Sequence, residues 1–162
     1  MAILARNKNK GVQVAIESYV DPKTIAFLDV QSPEEAILEL IHLLKKEGKV
    51  ANPEMFFQAV LEREKIVSTA IGLGVAVPHA KLDEYKDFFI AIGIQKNSGI
   101  AWKALDGTDV RIIFLIGGPA DKQTEYLQIL SKITSVVKDE EKRRQILTAK
   151  NARAVSEVFE GC

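Results

Sequence analysis

The stretch "DVRIIFLIGG", residues 109–118, is apolar without interruption from Ile112 to Gly118. A strand with one face in water alternates polar and apolar residues. A strand covered on both faces can be apolar throughout. "DFFIAIGI", residues 87–94, has the same character, and "LDGTD", residues 105–109, supplies a turn between the two runs. Both runs are short and rich in Ile and Phe, which favours strand over buried helix. They predict the middle of a sheet with helices on both faces.

The flanking segments supply those helices. In "FLDVQSPEEAILELIHLLKKEGKV" Ser32 is placed to cap a helix, Pro33 suits its first position and Glu35 completes a capping box. Ile37, Leu40, Ile41 and Leu44 then recur at helical spacing, and Gly48 provides the stop. A second helix opens with Asn52 as cap and Pro53 just inside. Phe56, Phe57, Val60 and Leu61 form its apolar face as far as about Glu64. After "DVRIIFLIGG", residues 121–149 read as two helices with a break near Asp139, with Leu127, Leu130, Ile133, Thr134 and Val137 as one stripe. Asn151 caps a last short helix through Val155 to Phe159. Val75-Ala76-Val77 reads as a short buried strand after a loop marked by Gly72 and Gly74, and "GVQVAI", residues 11–16, offers another. Mixed helices and central strands imply a single-domain α/β sandwich.

Composition bounds the function. The 162 residues suit one domain, with 47% hydrophobic and 27% charged residues. Lys plus Arg and Asp plus Glu both number 22, so no global field attracts nucleic acid or an anionic membrane. The one cysteine, Cys162, reads as a frayed terminal residue, and a lone thiol forms no internal disulfide. Two histidines offer no zinc-site spacing, and no cofactor is expected. "MAILARNKNK" has too short an apolar patch for a signal peptide or membrane anchor, so the expected compartment is the cytoplasm.

The two histidines differ. His42 lies inside the first helix, at the border of its apolar stripe, where water or Glu39 satisfies it. His79 follows the short strand in "GVAVPHAKLD", residues 74–83. Pro78 stiffens its approach, Lys81 lies two residues on, and Arg63 and Lys65 lie upstream in "LEREK". Sites in α/β folds lie outside strand ends. By spacing alone His79 is equally a functionless loop histidine, and Arg63 an exposed cation pairing Glu62 or Glu64.

The segment "REKIVSTAIGLGVAVPHAK" resembles the active-site signature of enzyme IIA domains of the fructose/mannitol type, from the bacterial phosphoenolpyruvate-dependent sugar phosphotransferase system. The resemblance continues through "DGTDVRIIFLIGGP", the helix near Gln123 and "IAFLDVQSPEEAI", covering roughly residues 20–160. It implies a sandwich around a mixed five-stranded sheet, with residues 1–17 an N-terminal extension and 18–162 the phosphotransferase domain. It implies that His79, through Nε2, accepts a phosphoryl group from the histidine-containing phosphocarrier protein and passes it to an enzyme IIB, with Arg63 facing the phosphate. The nitrogen-type regulatory branch shares this site and controls partner proteins through its phosphorylation state, and both destinations stay open. Where some relatives carry a second histidine, this chain has Tyr126, read either as a hydrogen-bond donor to the site or as an interfacial aromatic.

The chemistry suits those residues. Phosphoryl transfer asks for positioning and charge stabilisation. A neutral imidazole supplies a nucleophilic lone pair near neutral pH. A guanidinium grips phosphate oxygens with two parallel donors, which a lysine cannot imitate. Lys81 reads as a phosphate contact or a solvated charge, and Gly72 and Gly74 as permitting backbone N–H groups to turn toward an anion.

Overall fold

The computed structural model describes residues 13–162. After two short 3₁₀ turns, Ile16–Tyr19 and Pro22–Thr24, the chain runs β1 (Ile25–Leu28), α1 (Pro33–Lys46), α2 (Pro53–Ile66), β2 (Ala70–Gly72), β3 (Val75–Ala76) and β4 (His79–Lys81). It continues with β5 (Phe89–Gln95), β6 (Ile112–Gly118), α3 (Gln123–Lys138), α4 (Glu140–Thr148) and α5 (Ala152–Glu157).

The helix ends are built by the residues their sequence marks. The Ser32 hydroxyl accepts from Glu35 N–H at 3.2 Å, and Glu35 reaches back to the N–H of Gln31, one residue before the cap. At the other end of α1, Gly48 turns left-handed at φ 74°. Lys49 N–H returns to the Leu44 carbonyl and Gly48 N–H to that of Lys45, a Schellman closure. Asn52, Asp139 and Asn151 cap α2, α4 and α5 in the same side-chain fashion.

The sheet is mixed, in the order β1-β5-β6-β3-β2, with β4 also on β6. β1 runs parallel to β5, β5 antiparallel to β6, and β3 and β4 parallel to β6. The sheet therefore has six strands where five are expected, and the register explains the difference. Val75 lies opposite Ile112 and His79 opposite Ile116, the same offset, so β3 and β4 are one lane of the sheet interrupted at Val77-Pro78. Pro78 has no N–H for the ladder, but its carbonyl still accepts from Ile116 at 3.0 Å. Five lanes carry six strands.

Alternation along the lanes sorts side chains onto two faces. Ile90, Ile92, Ile94, Ile112, Phe114, Ile116, Val75 and Val77 join the core under α3, α4 and α5. Phe89, Ala91, Ile113, Leu115, Ala76 and Ala80 join the core under α1 and α2. Helices cover both faces, which is why β5 and β6 are buried along their whole length.

Three local expectations change. Gln13 to Ala15 form no strand, and Ile16 opens a 3₁₀ turn with its side chain in the core; Gly11 and Val12 lie outside the described residues. The buried face of α3 is Tyr126, Ile129, Ile133, Val136 and Val137: Ile133 and Val137 of the expected stripe are kept, Tyr126, Ile129 and Val136 take the place of Leu127, Leu130 and Thr134, and Leu127 is 53% exposed. Phe88, just before β5, and the His79 ring lie beside this turn of the helix, and Tyr126 packs against both. Cys162 is not frayed: its carbonyl accepts from Ile16 N–H at 2.9 Å, and Lys142 approaches its sulfur at 3.3 Å.

Close approach of helix to sheet depends on missing side chains. A Cβ on Gly117 would meet the Phe89 ring at 2.3 Å and Phe56 at 2.9 Å. Phe56 anchors α2, the helix that carries Arg63. Gly117→Ala is expected to lower unfolding stability by about 1–3 kcal/mol through overpacking. Urea unfolding checks it, and an unchanged midpoint would show that these rings have room to move.

Candidate functional site

β4 delivers His79 to the α3 face of the sheet, because residues 75, 77, 79 and 81 share one side of the lane. The ring is half-buried, and its Nδ1 lies 2.9 Å from the Val77 carbonyl oxygen. A carbonyl only accepts, so Nδ1 carries the hydrogen and Nε2 the free lone pair. The tautomer follows from backbone shape, since Pro78 takes the chain past Val77 without a ladder N–H at that point.

Electrostatics keep the ring neutral. Burial, the largest influence, pushes the His79 pKa below its ordinary 6.5. The hydrogen bond to Val77 opposes this, while the positive charges of Arg63 and Lys81 add to the lowering. Two cations around a half-buried imidazole favour an anion arriving there and disfavour a third positive charge.

Arg63 comes from the opposite layer. β2 pairs only with β3, which leaves the outer edge of β4 open. The segment leaving α2 passes that edge, where Val77 N–H donates to the Thr69 carbonyl at 3.0 Å. Arg63 Nη1 donates to the Val67 carbonyl in the same segment at 3.0 Å. It pairs with neither Glu62 nor Glu64: Lys65 takes Glu62, and Glu64 accepts from Thr69 and from the Trp102 indole. Glu64 thus fastens the segment to the fold and leaves the guanidinium unpaired by any carboxylate among the described residues.

Lys81 and Tyr126 complete the surroundings. The His79 and Tyr126 rings lie 5.2 Å apart, tilted by 46°. The Lys81 ammonium sits 4.3 Å from the Tyr126 ring centre, and Gln123 at the start of α3 accepts from it at 2.5 Å. Phe88 stacks on Tyr126 from below at 6.1 Å. Sequence reading marked Tyr126 and Lys81 but missed Gln123 and Phe88, which only the β5 and α3 packing brings here.

Other expectations fall outside this cluster. Gly72 and Gly74, with Leu73 between them, are all left-handed and form the β2–β3 turn at the far end of the lane. Their segment's N–H groups are taken by Asp106 and Thr108 of the same chain, so they do not face His79. His42 is exposed on α1. A groove of about 530 Å³ lies between α1, α2 and Trp102 and does not include His79. His79 sits instead on open surface, which suits a macromolecular reactant better than an enclosed small molecule. Among the described residues no cluster of potential metal ligands occurs, and no helix is long and apolar enough to cross a membrane.

Residues 18–162 match the family described as "Phosphoenolpyruvate-dependent sugar phosphotransferase system, EIIA 2". The chain is 31% identical over 132 residues to the fructose-specific EIIABC component of Bacillus subtilis strain 168. That match covers 82% of this chain and 21% of the relative, so the chain spans about a fifth of that protein's length. Among solved structures, the nitrogen regulatory protein IIA-Ntr of Neisseria meningitidis superposes with a TM-score of 0.81 at 26% identity, covering 90% of this chain and 99% of that one. The enzyme IIA of mannitol from Escherichia coli, solved in complex with phosphorylated enzyme IIB, shares the fold with a TM-score of 0.74 at 22% identity, over 88% and 98% of the two chains. With a matching α/β sandwich and a family match that runs the length of the described sheet, this chain belongs to the EIIA type 2 family of the phosphoenolpyruvate-dependent sugar phosphotransferase system.

Proposed function

We propose that His79 Nε2 accepts a phosphoryl group from the phosphohistidine of the histidine-containing phosphocarrier protein and passes it to a cysteine-bearing enzyme IIB. The observation that carries this is the Nδ1–H bond to Val77, which leaves Nε2 as the only ring nitrogen with a lone pair. In the transfer the Nε2 pair forms a bond to phosphorus as the donor's N–P bond breaks. The electron pair of that bond returns to the donor imidazole, and Nδ1 keeps its hydrogen. Arg63 meets the equatorial phosphoryl oxygens and balances the charge that spreads over them. Residues 18–162 constitute the phosphotransferase domain, residues 1–17 are an extension to it, and the protein works in the cytoplasm.

Partners would dock around the open edge of β4. Ile66 and Val67 next to Arg63 are 78% and 60% exposed, and Leu127 lies beside Tyr126. With zero net charge there is little long-range steering, so apolar contact at these side chains does the recognition. The complex that mannitol enzyme IIA forms with phosphorylated enzyme IIB supports an enzyme IIB as acceptor. The regulatory destination has its own support in the fit to IIA-Ntr over 99% of that chain. Both readings use the same histidine.

Incubation with phosphoenolpyruvate, enzyme I and the carrier protein should place an acid-labile, base-stable phosphate on His79. His79→Ala should abolish the label and His42→Ala should keep it. Label retained by His79→Ala would refute the assignment.

The pH dependence follows from the lowered pKa. Since the folded imidazole titrates below 6.5, the acceptance rate should be level above about pH 6.5 and fall only as the pH drops through the lowered value. Stability behaves alike: between the two values the unfolded state binds more proton, so this contribution is complete above pH 6.5 and lost on acidification. Stopped-flow transfer and thermal melts across pH 5–8 test both, and a rate that rises on acidification would contradict the neutral acceptor.

Arg63→Lys should slow transfer on the order of a hundredfold, because the charge remains but the paired donors go. Its stability cost should stay within about 1 kcal/mol, the worth of the single bond to Val67. Single-turnover transfer with parallel melts separates the two, and equal rates would return Arg63 to the part of a helix-end cation.

A further inference from the structure

Tyr126 is placed where a structural aromatic and a chemical one would differ in a single atom. Its ring is buried, packed on Phe88 and against the His79 imidazole at 5.2 Å. Its hydroxyl makes no hydrogen bond among the described residues. Tyr85 is the only described side chain with a fully enclosed polar atom lacking a partner, so the Tyr126 oxygen retains access to solvent. Lys81, bonded to Gln123, lies over the ring at 4.3 Å from its centre, and Phe88 stacks on it at 6.1 Å. A buried phenol with a free O–H next to an imidazole is a donor waiting for an acceptor.

We propose that the Tyr126 hydroxyl is a neutral hydrogen-bond donor to the phosphoryl oxygens at His79 Nε2, acting with Arg63 on the transferring group. The inference rests on phosphoryl transfer to His79 as proposed above. The Arg63 charge lowers the pKa of the imidazole and of the phenol alike. Burial pushes the phenol pKa up to about 12, with Arg63 pulling the other way, so the O–H stays protonated throughout the working range. The charged groups that act on this pair are Arg63 from α2 and Lys81 from β4; Glu125, the next residue on α3, is engaged by the Tyr19 hydroxyl at 2.6 Å. The donor is constant where an imidazole in its place would switch charge near pH 6.5.

The test is single-turnover phosphoryl transfer from phosphorylated carrier protein to wild-type, Tyr126→Phe and Tyr126→His chains at pH 5.5–9, with the carrier concentration varied. Tyr126→Phe keeps the ring and loses only the O–H, so it should melt close to wild type. Its maximal rate should fall about tenfold, the worth of one bond to a charged oxygen, with the half-saturating carrier concentration little changed. Tyr126→His should recover part of the rate and add an inflection between pH 6 and 7 that wild type lacks. If Tyr126→Phe transfers at the wild-type rate over the whole range, or only its half-saturation moves, the hydroxyl has no part in transfer and this proposal falls alone. A wild-type chain that takes no phosphate at His79 overturns the reading of the site and this inference with it.

Discussion

The hydrogen bonding of β6 on both of its edges is the constraint on which the rest of the structure depends. On one edge it pairs antiparallel with β5 from Phe89 to Ile94, and on the other it carries β3 and then β4 in parallel. Its two faces are covered by different helix layers, so nothing polar in its side chains competes with that pairing. Because Ile116 bonds across the interruption at Pro78, β4 resumes the same register, and His79 emerges on the α3 face rather than the α2 face. A shift of one residue would send the imidazole into the opposite layer, beneath α2. The position of the histidine is thus a consequence of strand register, held by backbone bonds far more numerous than the contacts of the ring itself.

Around that ring the two layers contribute unlike groups. The α2 layer sends Arg63 past the open edge of β4, and the α3 layer sends Tyr126 and Gln123, with Lys81 reaching across from β4. The imidazole remains neutral because half-burial and two cations oppose its protonation more strongly than one carbonyl favours it. The same cations would stabilise a phosphoryl group bearing negative charge. On the function proposed above, cations that gain little from a neutral imidazole would gain most from the negative phosphoryl group as it arrives, which is the kind of difference that accelerates a reaction. Glu64 is engaged by Thr69 and Trp102 and Glu62 by Lys65, so neither neighbouring carboxylate pairs with Arg63.

What was legible in the sequence follows from range. Ser32, Gly48, Asn52 and Asn151 act on backbone groups within a few residues, and the structure uses them as their spacing predicts. The apolar runs of β5 and β6 announce burial on both faces because no polar residue interrupts them. On α3 the same kind of reading slipped in part, since Leu127 and Tyr126 are both apolar enough to face inward and the choice belonged to the sheet beneath. Gly72 and Gly74 marked a turn correctly, but whether its N–H groups met an external anion or Asp106 depended on a loop more than thirty residues away.

By itself the sequence determined the α/β class, the helix ends, the two-sided sheet and the family, because each is written in local spacing or in a contiguous motif. Only the tertiary structure decided that β3 and β4 are one broken lane, that Nδ1 of His79 is spoken for by Val77, and that Arg63 reaches the site from the far layer unpaired by Glu62 or Glu64. It also decided that Tyr126 stands against His79 with Lys81 on its ring. The His79–Val77 bond spans only two residues, but the pairs His79–Tyr126 and Lys81–Tyr126 lie forty-seven and forty-five positions apart. Their geometry is set by strand register and helix packing, which no local pattern encodes.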